Sequence, residues 1–241
     1  MNILAIETTG PVASAAVIDD DDCVLEVVGE GRLTHLEKII PIIDRALADC
    51  DKSLDDIDAV AVSRGPGSFT GIRIGVSTAR ALAQARNLPV VEVPSLYAAA
   101  LGVSGFEGII CPVLDARRSQ VYAAAYESHW GELTEILPEG AYYPEEVAEA
   151  VSGRGPVFFL GDAVYIEEIR SLFEERVGLN AFFSHEERRV QRAEAVAVIG
   201  KDLFNEGRAV SYGSAQPVYL RKSEAERKRE EALRVTGDAL A

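Results

Sequence analysis

The thirteen residues SRGPGSFTGIRIG, Ser63 to Gly75, set four glycines and a proline between two apolar segments. Glycine loses more chain entropy on folding than any other residue, so a loop this rich in it serves a tight turn, a bound phosphate or a close backbone approach. Phosphate chemistry asks for particular companions. A P-loop needs G-x-x-x-x-G-K-[ST], with the lysine on the phosphates and the hydroxyl on magnesium, and the stretch contains no lysine. The dinucleotide pattern G-x-G-x-x-G also fails, because Gly65 and Gly67 are followed by Gly71, one residue late. Backbone amides at the start of the following helix, with Arg64 and Arg73 nearby, could still attract an anion.

Two acidic turns are the other candidates for chemistry. Glu7 follows the apolar run ILAI and precedes Thr8, Thr9 and Gly10; Asp115 follows IICPVL and precedes ARRSQ. Each turn leads into a second segment of strand character, so Glu7 and Asp115 occupy matching places in two similar strand-turn-strand units. Other chemistries lack their residues. His35, His129 and His185 have no partner at metal-ligand spacing, and no metal site is expected. The G-x-S-x-G nucleophile elbow is missing. Cys23, Cys50 and Cys111 form neither a disulfide framework nor a C-x-x-C site. The run Asp19 to Asp22 reads as a solvated turn.

The elements that must position these residues alternate along the chain. A hairpin over Ile3–Ile18 is followed by a helix over Leu33–Ala48, a strand over Ala59–Ser63, the glycine loop, a helix over Gly71–Arg86 and a strand over Val90–Val93. The second half opens with the repeat at Ile109–Glu127. It continues with a strand at Val157–Leu160 and helices over Tyr165–Glu175 and Ala193–Glu206. This is an α/β chain. Its 241 residues, 48% hydrophobic, can form one large domain or two, and glycine and serine in LGVSGFE place a boundary near Leu101–Glu107. The expected organisation is an N-terminal lobe over 1–104, a C-terminal lobe over 105–221 and a charged tail over 222–241.

Helical spacing singles out two surfaces. Leu33, Leu36, Ile40, Ile43 and Leu47 follow a 3-4 pattern with Ile39, Ile42 and Ala46 beside it, interrupted by Pro41, where a kink is expected. Gly67, Gly71, Gly75, Ala79 and Ala83 recur every fourth residue and make a stripe without bulky side chains, flanked by Ile72 and Val76. Both helices can pack on one sheet, or present a surface to another protein. A formal net charge of −15 argues against direct nucleic-acid binding. No apolar run is long enough for a membrane helix and no signal peptide is expected, which points to a cytoplasmic protein.

On ILAIETT (Ile3–Thr9), SRGPGSFTGIRIG (Ser63–Gly75), VPSL (Val93–Leu96), LDARRSQVYAAAY (Leu114–Tyr126) and QPVYLR (Gln216–Arg221), the chain resembles the bacterial TsaB (YeaZ) family over almost its whole length. The resemblance implies an actin-like ATPase fold of two lobes. It also implies a role in N6-threonylcarbamoyladenosine (t6A) formation at adenosine 37 of tRNAs that read codons beginning with A. In that role the chain is a non-catalytic subunit supporting a TsaD-like catalytic paralogue, with a TsaE-like ATPase as a third component and tRNA reached through the complex.

The resemblance further implies that Leu33, Leu36, Ile39, Ile40, Ile43, Leu47, Gly71, Ile72, Gly75, Val76, Ala79 and Ala83 meet TsaD, or a second copy when the chain is alone. The paralogue's metal-binding H-x-x-x-H falls on Ser95 and Ala99. Actin-like ATPases place an Asp with Gly and Thr around phosphate in the first turn, where this chain has Glu7, Thr8, Thr9 and Gly10: a degenerate phosphate turn. No tightly bound cofactor is therefore expected, with ATP or ADP confined to the interface of the complex. The alternative is an actin-fold ATPase or small-molecule kinase.

Overall fold

The computed structural model describes residues 1–22, 24–29, 35–185 and 191–221. The first sheet is built from β1 (Ile3–Glu7), β2 (Ser14–Ile18), β3 (Val24–Val28), β4 (Ala59–Gly65), β5 (Pro89–Pro94) and the two-residue β11 (Val210–Ser211). Its order is β11-β5-β4-β1-β2-β3, with β1, β4 and β5 parallel and β2 and β3 antiparallel. The second sheet contains β6 (Gly108–Asp115), β7 (Val121–His129), β8 (Glu132–Tyr142), β9 (Val157–Leu160) and β10 (Ala181–Phe183), in the order β10-β9-β6-β7-β8. Three antiparallel strands followed by two parallel ones, with the first strand in the middle, occur in both sheets. The repeat suspected from Glu7 and Asp115 is thus a duplicated topology, the two-lobed actin-like arrangement.

Strand β1 shows why the sequence folds this way. All five of its residues are buried, so its apolar run needs cover on both faces. Leu4 and Ile6 point into one core with α1 (His35–Asp49) and α2 (Phe69–Arg86), while Ile3 and Ala5 point into another with α6 (Ala193–Asn205). In the second sheet, Ile109, Cys111 and Val113 of β6 pack towards α4 (Pro144–Val151) and α5 (Glu167–Val177). Ile110 and Leu114 face α3 (Ser95–Leu101) through Leu96 and Ala100.

Several expectations are corrected. Helix α2 begins at Phe69, because the Ser68 side chain accepts a hydrogen bond from Gly71 N and caps the turn before it. Helix α1 runs unbroken through Pro41, whose ring lies on the exposed side. The stretch after Arg192, expected with the second lobe, returns to the first sheet as α6 and β11. Strands β3, β8 and β10 and helices α3 and α4 were not foreseen. Asp19–Asp22 is tied down rather than simply solvated: Lys201 Nζ donates to Asp19 O at 2.5 Å and Asp22 Oδ1 at 2.8 Å. Leu33, Cys23 and the tail over 222–241 lie outside the described residues.

Candidate functional site

The β1–β2 turn is a closed hydrogen-bonded clasp. Glu7 is fully buried. Its Oε1 accepts from Thr9 N and from Thr9 Oγ1, the latter at 2.6 Å, and its Oε2 accepts from Ser63 Oγ at the end of β4. Burial pushes the Glu7 carboxyl above the usual carboxylate range, and the bonds from Ser63 and Thr9 pull against that shift. Thr8 Oγ1 donates to Gly71 O at 2.8 Å, and Ser68 N donates to Thr9 O at 2.9 Å. The acid that the turn contributes is thus spent on joining β1 to β4, and both threonines grip the start of α2.

The glycines of Ser63–Gly75 answer to this clasp. A Cβ at Gly67 would lie 2.7 Å from both Thr9 Cβ and Thr9 O, one at Gly71 would overlap the Thr8 carbonyl oxygen, and one at Gly75 would overlap Thr8 Oγ1. The backbone that comes close to the smooth stripe is the chain's own. This corrects the reading of the stripe as a partner surface: Gly71, Ile72, Gly75, Val76, Ala79 and Ala83 are buried within the chain. Ile39, Ile43 and Leu47 of α1 are likewise in the core, because the sheet and α2 consume that face. Of the helix residues expected to meet a partner, Leu36 (70% exposed) and Ile40 (44%) remain on the surface.

An aromatic pair that sequence reasoning missed is also exposed, at the start of α2. Phe69, 40% exposed at the start of α2, packs against Tyr219 with ring centroids 4.7 Å apart and planes tilted by 30°, and the Arg73 guanidinium lies 5.5 Å from the Phe69 centroid. The segment carrying Tyr219 crosses from lobe to lobe. Val218 N donates to Arg64 O at 2.8 Å, and Arg221 Nη1 donates to Ala116 O and Arg117 O at 2.6 and 2.9 Å. Arg117, Arg118 and Ser119 all have positive φ, between 56° and 64°, so this β6–β7 turn is a left-handed one held in part by Arg221.

Between the two acidic turns lies a cleft of about 510 Å³, bordered by Thr9, Gly10, Gly67, Asp115, Asp162 and Gln191. Asp115 Oδ1 accepts from Arg117 N at 2.7 Å and its Oδ2 pairs with the Arg117 guanidinium at 2.9 Å. Asp162, whose carboxyl burial pushes upward, accepts from Asp115 N at 2.8 Å. Gly10 leaves room for the Gln191 side chain, which a Cβ would displace. Ser63, Asp162 and Gln191 join this constellation from distant positions, and no spacing in the sequence links them to the two acidic turns. Ser95 is buried and accepts from Gly65 N at 3.1 Å, so it supports the glycine loop, while Ala99 lines an adjoining cavity of about 630 Å³ that shares Leu114 and Gln191 with the cleft. Among the described residues, no group of three or more His, Cys, Asp or Glu is placed to hold a metal. No described helix is long and apolar enough to cross a membrane.

Duplicated lobes flanking a cleft, each opened by an acidic turn, define a two-lobed α/β protein of the actin-like class. Comparison with known proteins narrows the class. A family model described as TsaD, tRNA N6-adenosine threonylcarbamoyltransferase, matches residues 31–228. The tRNA threonylcarbamoyladenosine biosynthesis protein TsaB of Bacillus subtilis (strain 168) is 32% identical over 229 residues, covering 95% of this chain and 97% of its own. The TsaB of Escherichia coli (strain K12) is 32% identical over 235 residues, covering 95% and 98%. The solved structure of YeaZ from Pseudomonas aeruginosa matches with a TM-score of 0.77 at 27% identity, over 91% of this chain and 99% of that one. The chain belongs to the TsaB (YeaZ) family.

Proposed function

We propose that the chain takes part in t6A formation on tRNA as a non-catalytic subunit that binds and supports a TsaD-like catalytic protein. Membership of a family whose curated relatives are named for t6A biosynthesis supports the pathway. The single observation that carries the non-catalytic role is the Glu7 clasp: both carboxylate oxygens of the first turn are engaged by Ser63 and Thr9 instead of being offered to the cleft. ATP or ADP accordingly has its place at the interface of the complex. A net charge of −15 fits a protein that meets tRNA through its partners.

The partner surface in this reading is the exposed remainder of the two helices, Leu36, Ile40 and Phe69 with Tyr219. A TsaD-like subunit covers it in the complex and a second copy covers it in the free chain, while a TsaE-like ATPase completes the assembly. The test is reconstitution: t6A formed on tRNA by the TsaD-like and TsaE-like proteins with this chain present, absent, or carrying Leu36→Asp or Ile40→Asp. Modification is expected to require the chain and to fall with either variant. Full modification without the chain refutes the role, and wild-type activity and affinity in both variants refute the surface.

A further inference from the structure

Three buried side-chain atoms have no hydrogen-bond partner among the described residues: Arg64 Nε, Glu139 Oε2 and Gln191 Oε1. All three lie where the lobes meet. Arg64 stands near the end of β4 in the first lobe and Glu139 on β8 in the second. Their facing atoms, Arg64 Nη2 and Glu139 Oε1, form an ion pair at 3.6 Å, beyond hydrogen-bonding distance. Gln191 fills the space over Gly10 between the two acidic turns. With the lobes closed, neither solvent nor a ligand reaches these atoms, so the cost of leaving them unmatched is relieved only when the lobes part and water enters the seam. The ion pair opposes that parting weakly, because the desolvation of two charges offsets their attraction. Leu96 and Ala100 of α3, packed on Ile110 and Leu114 of β6, are the apolar contact that keeps the lobes joined and serves as the pivot.

One segment is fastened to both sides of this seam. Gln216 N donates to Glu92 Oε1 at 2.6 Å and Val218 N donates to Arg64 O at 2.8 Å, which fixes the start of the segment on β5 and β4. The residue that holds Val218 is thus the one whose side chain pairs with Glu139. Arg221 Nη1 donates to Ala116 O and Arg117 O, which fixes the other end on the β6–β7 turn of the second lobe. Tyr219 lies between the two attachments with its ring against Phe69. A displacement of the second lobe is therefore taken up between Tyr219 and Arg221.

We propose that Gln216–Arg221 is a coupling strap: the lobes part along the Arg64–Glu139 seam, and Arg221 carries that movement to Tyr219 and so to the surface at Phe69. Closed lobes hold Tyr219 against Phe69 as one aromatic patch, and parting draws it away. The last step, from Phe69 to a TsaD-like partner, rests on the proposed function; the strap itself does not.

The test biases the seam and reads the lobes, Tyr219 and the partner separately in the full-length chain. Arg64→Met with Glu139→Met removes both charges and keeps their bulk, which favours closed lobes. Lobe separation is read by pulsed electron paramagnetic resonance between nitroxides on Gln84→Cys in α2 and Trp130→Cys after β7, both exposed, in a Cys23→Ser, Cys50→Ser background diluted with unlabelled chain. The wild-type seam is expected to give two distances and the methionine pair only one of them. Tyr219 is read by fluorotyrosine NMR, its resonance assigned by its loss in Tyr219→Phe. The methionine pair is expected to shift that resonance, and Arg221→Ala to abolish the response. Glu139→Gln leaves the Arg64 charge unanswered and should shift the resonance in the opposite sense, which decides the question if the methionine pair fails to fold. Affinity for a TsaD-like protein should rise about threefold or more with the methionine pair, and not when Arg221→Ala is also present. A single unchanged distance in every chain overturns the parting of the lobes, and a Tyr219 response that survives Arg221→Ala overturns the strap. Affinity that ignores the methionine pair while the resonance responds overturns the link to the partner. A wild-type chain that does not bind the TsaD-like protein refutes the partner reading, and the distances and the resonance then still decide the strap.

Discussion

Replacing Gly75 by alanine tests what the smooth face of α2 is for. On an open helix the change would stabilise the chain by about 1 kcal/mol, the propensity difference between the two residues. Here the new methyl overlaps Thr8 Oγ1, which donates at 2.8 Å to Gly71 O in the buried clasp. Moving that hydroxyl leaves a buried donor unmatched, at about 1–3 kcal/mol, and crowding a packed site adds about 1–3 kcal/mol. After the propensity gain is subtracted, Gly75→Ala should cost about 1–5 kcal/mol.

The companion change makes the argument specific. Without the hydroxyl, the nearest atoms to the added methyl are Val62 Cγ2 at 3.5 Å and Thr8 Cβ at 3.6 Å, ordinary contacts. Thr8→Ala should therefore rescue Gly75→Ala, with a coupling of about 1–3 kcal/mol in a double-mutant cycle. It should not rescue Gly71→Ala, because there the overlapping atom is the backbone carbonyl oxygen of residue 8, which every variant keeps. Urea unfolding of the four chains, with midpoint and slope fitted together, measures the cycle. In a chain of this size each kcal/mol also moves Tm by about 2–4 °C. Additivity within about 0.5 kcal/mol, or an equal rescue at Gly71, would show that the Thr8 hydroxyl is not what the stripe accommodates.

Glu7→Gln separates charge from shape in the clasp. The folded carboxyl lies above its unfolded value because burial penalises the charge, so stability is withheld as pH rises from about 4.3 through the folded value. The variant should gain on the wild type across that rise and match it at lower pH; an advantage that shrinks with rising pH contradicts the assignment. Ile40→Asp should change the unfolding midpoint of the isolated chain by no more than about 0.5 kcal/mol, whereas Ile39→Asp, one residue away and 1% exposed, should unfold it. Equal effects in urea melts would mean that α1 is rotated from its described orientation. Arg221→Ala removes two bonds to the carbonyls of residues 116 and 117, so it should cost about 1–3 kcal/mol and raise amide exchange across the left-handed turn at 117–119. Unaltered exchange there would assign the strap no role in holding the turn.

What the sequence made legible follows from the range of its signals. Apolar runs such as ILAIE and AVAV announce strands because both faces are buried, and the matching acids after ILAI and IICPVL announce the repeat. Strand β8 did not show itself, since ELTEILPEGAY lies at a sheet edge, carries Pro138 and Gly140, and breaks register with β7 near Ala125. Helix α3 has only seven residues and was hidden beside the glycines that follow it.

The candidate site was legible in its turn and stripe residues but not in its contacts, nor in Asp162 and Gln191, which complete it. A row of glycines and alanines every fourth residue states that some backbone comes close to a helix; it carries no information about whose. The answer here comes from Thr8, whose hydroxyl bridges 63 positions of sequence to Gly71. The same fact moves the partner surface. Once the turn and the sheet have consumed the small-residue face of α2 and the Ile39–Ile43–Leu47 face of α1, the proposed partner surface on these two helices is reduced to Leu36, Ile40 and Phe69, the last beside Tyr219. Substitutions at buried stripe positions therefore report on folding, and under the proposed reading those at Leu36 and Ile40 report on association.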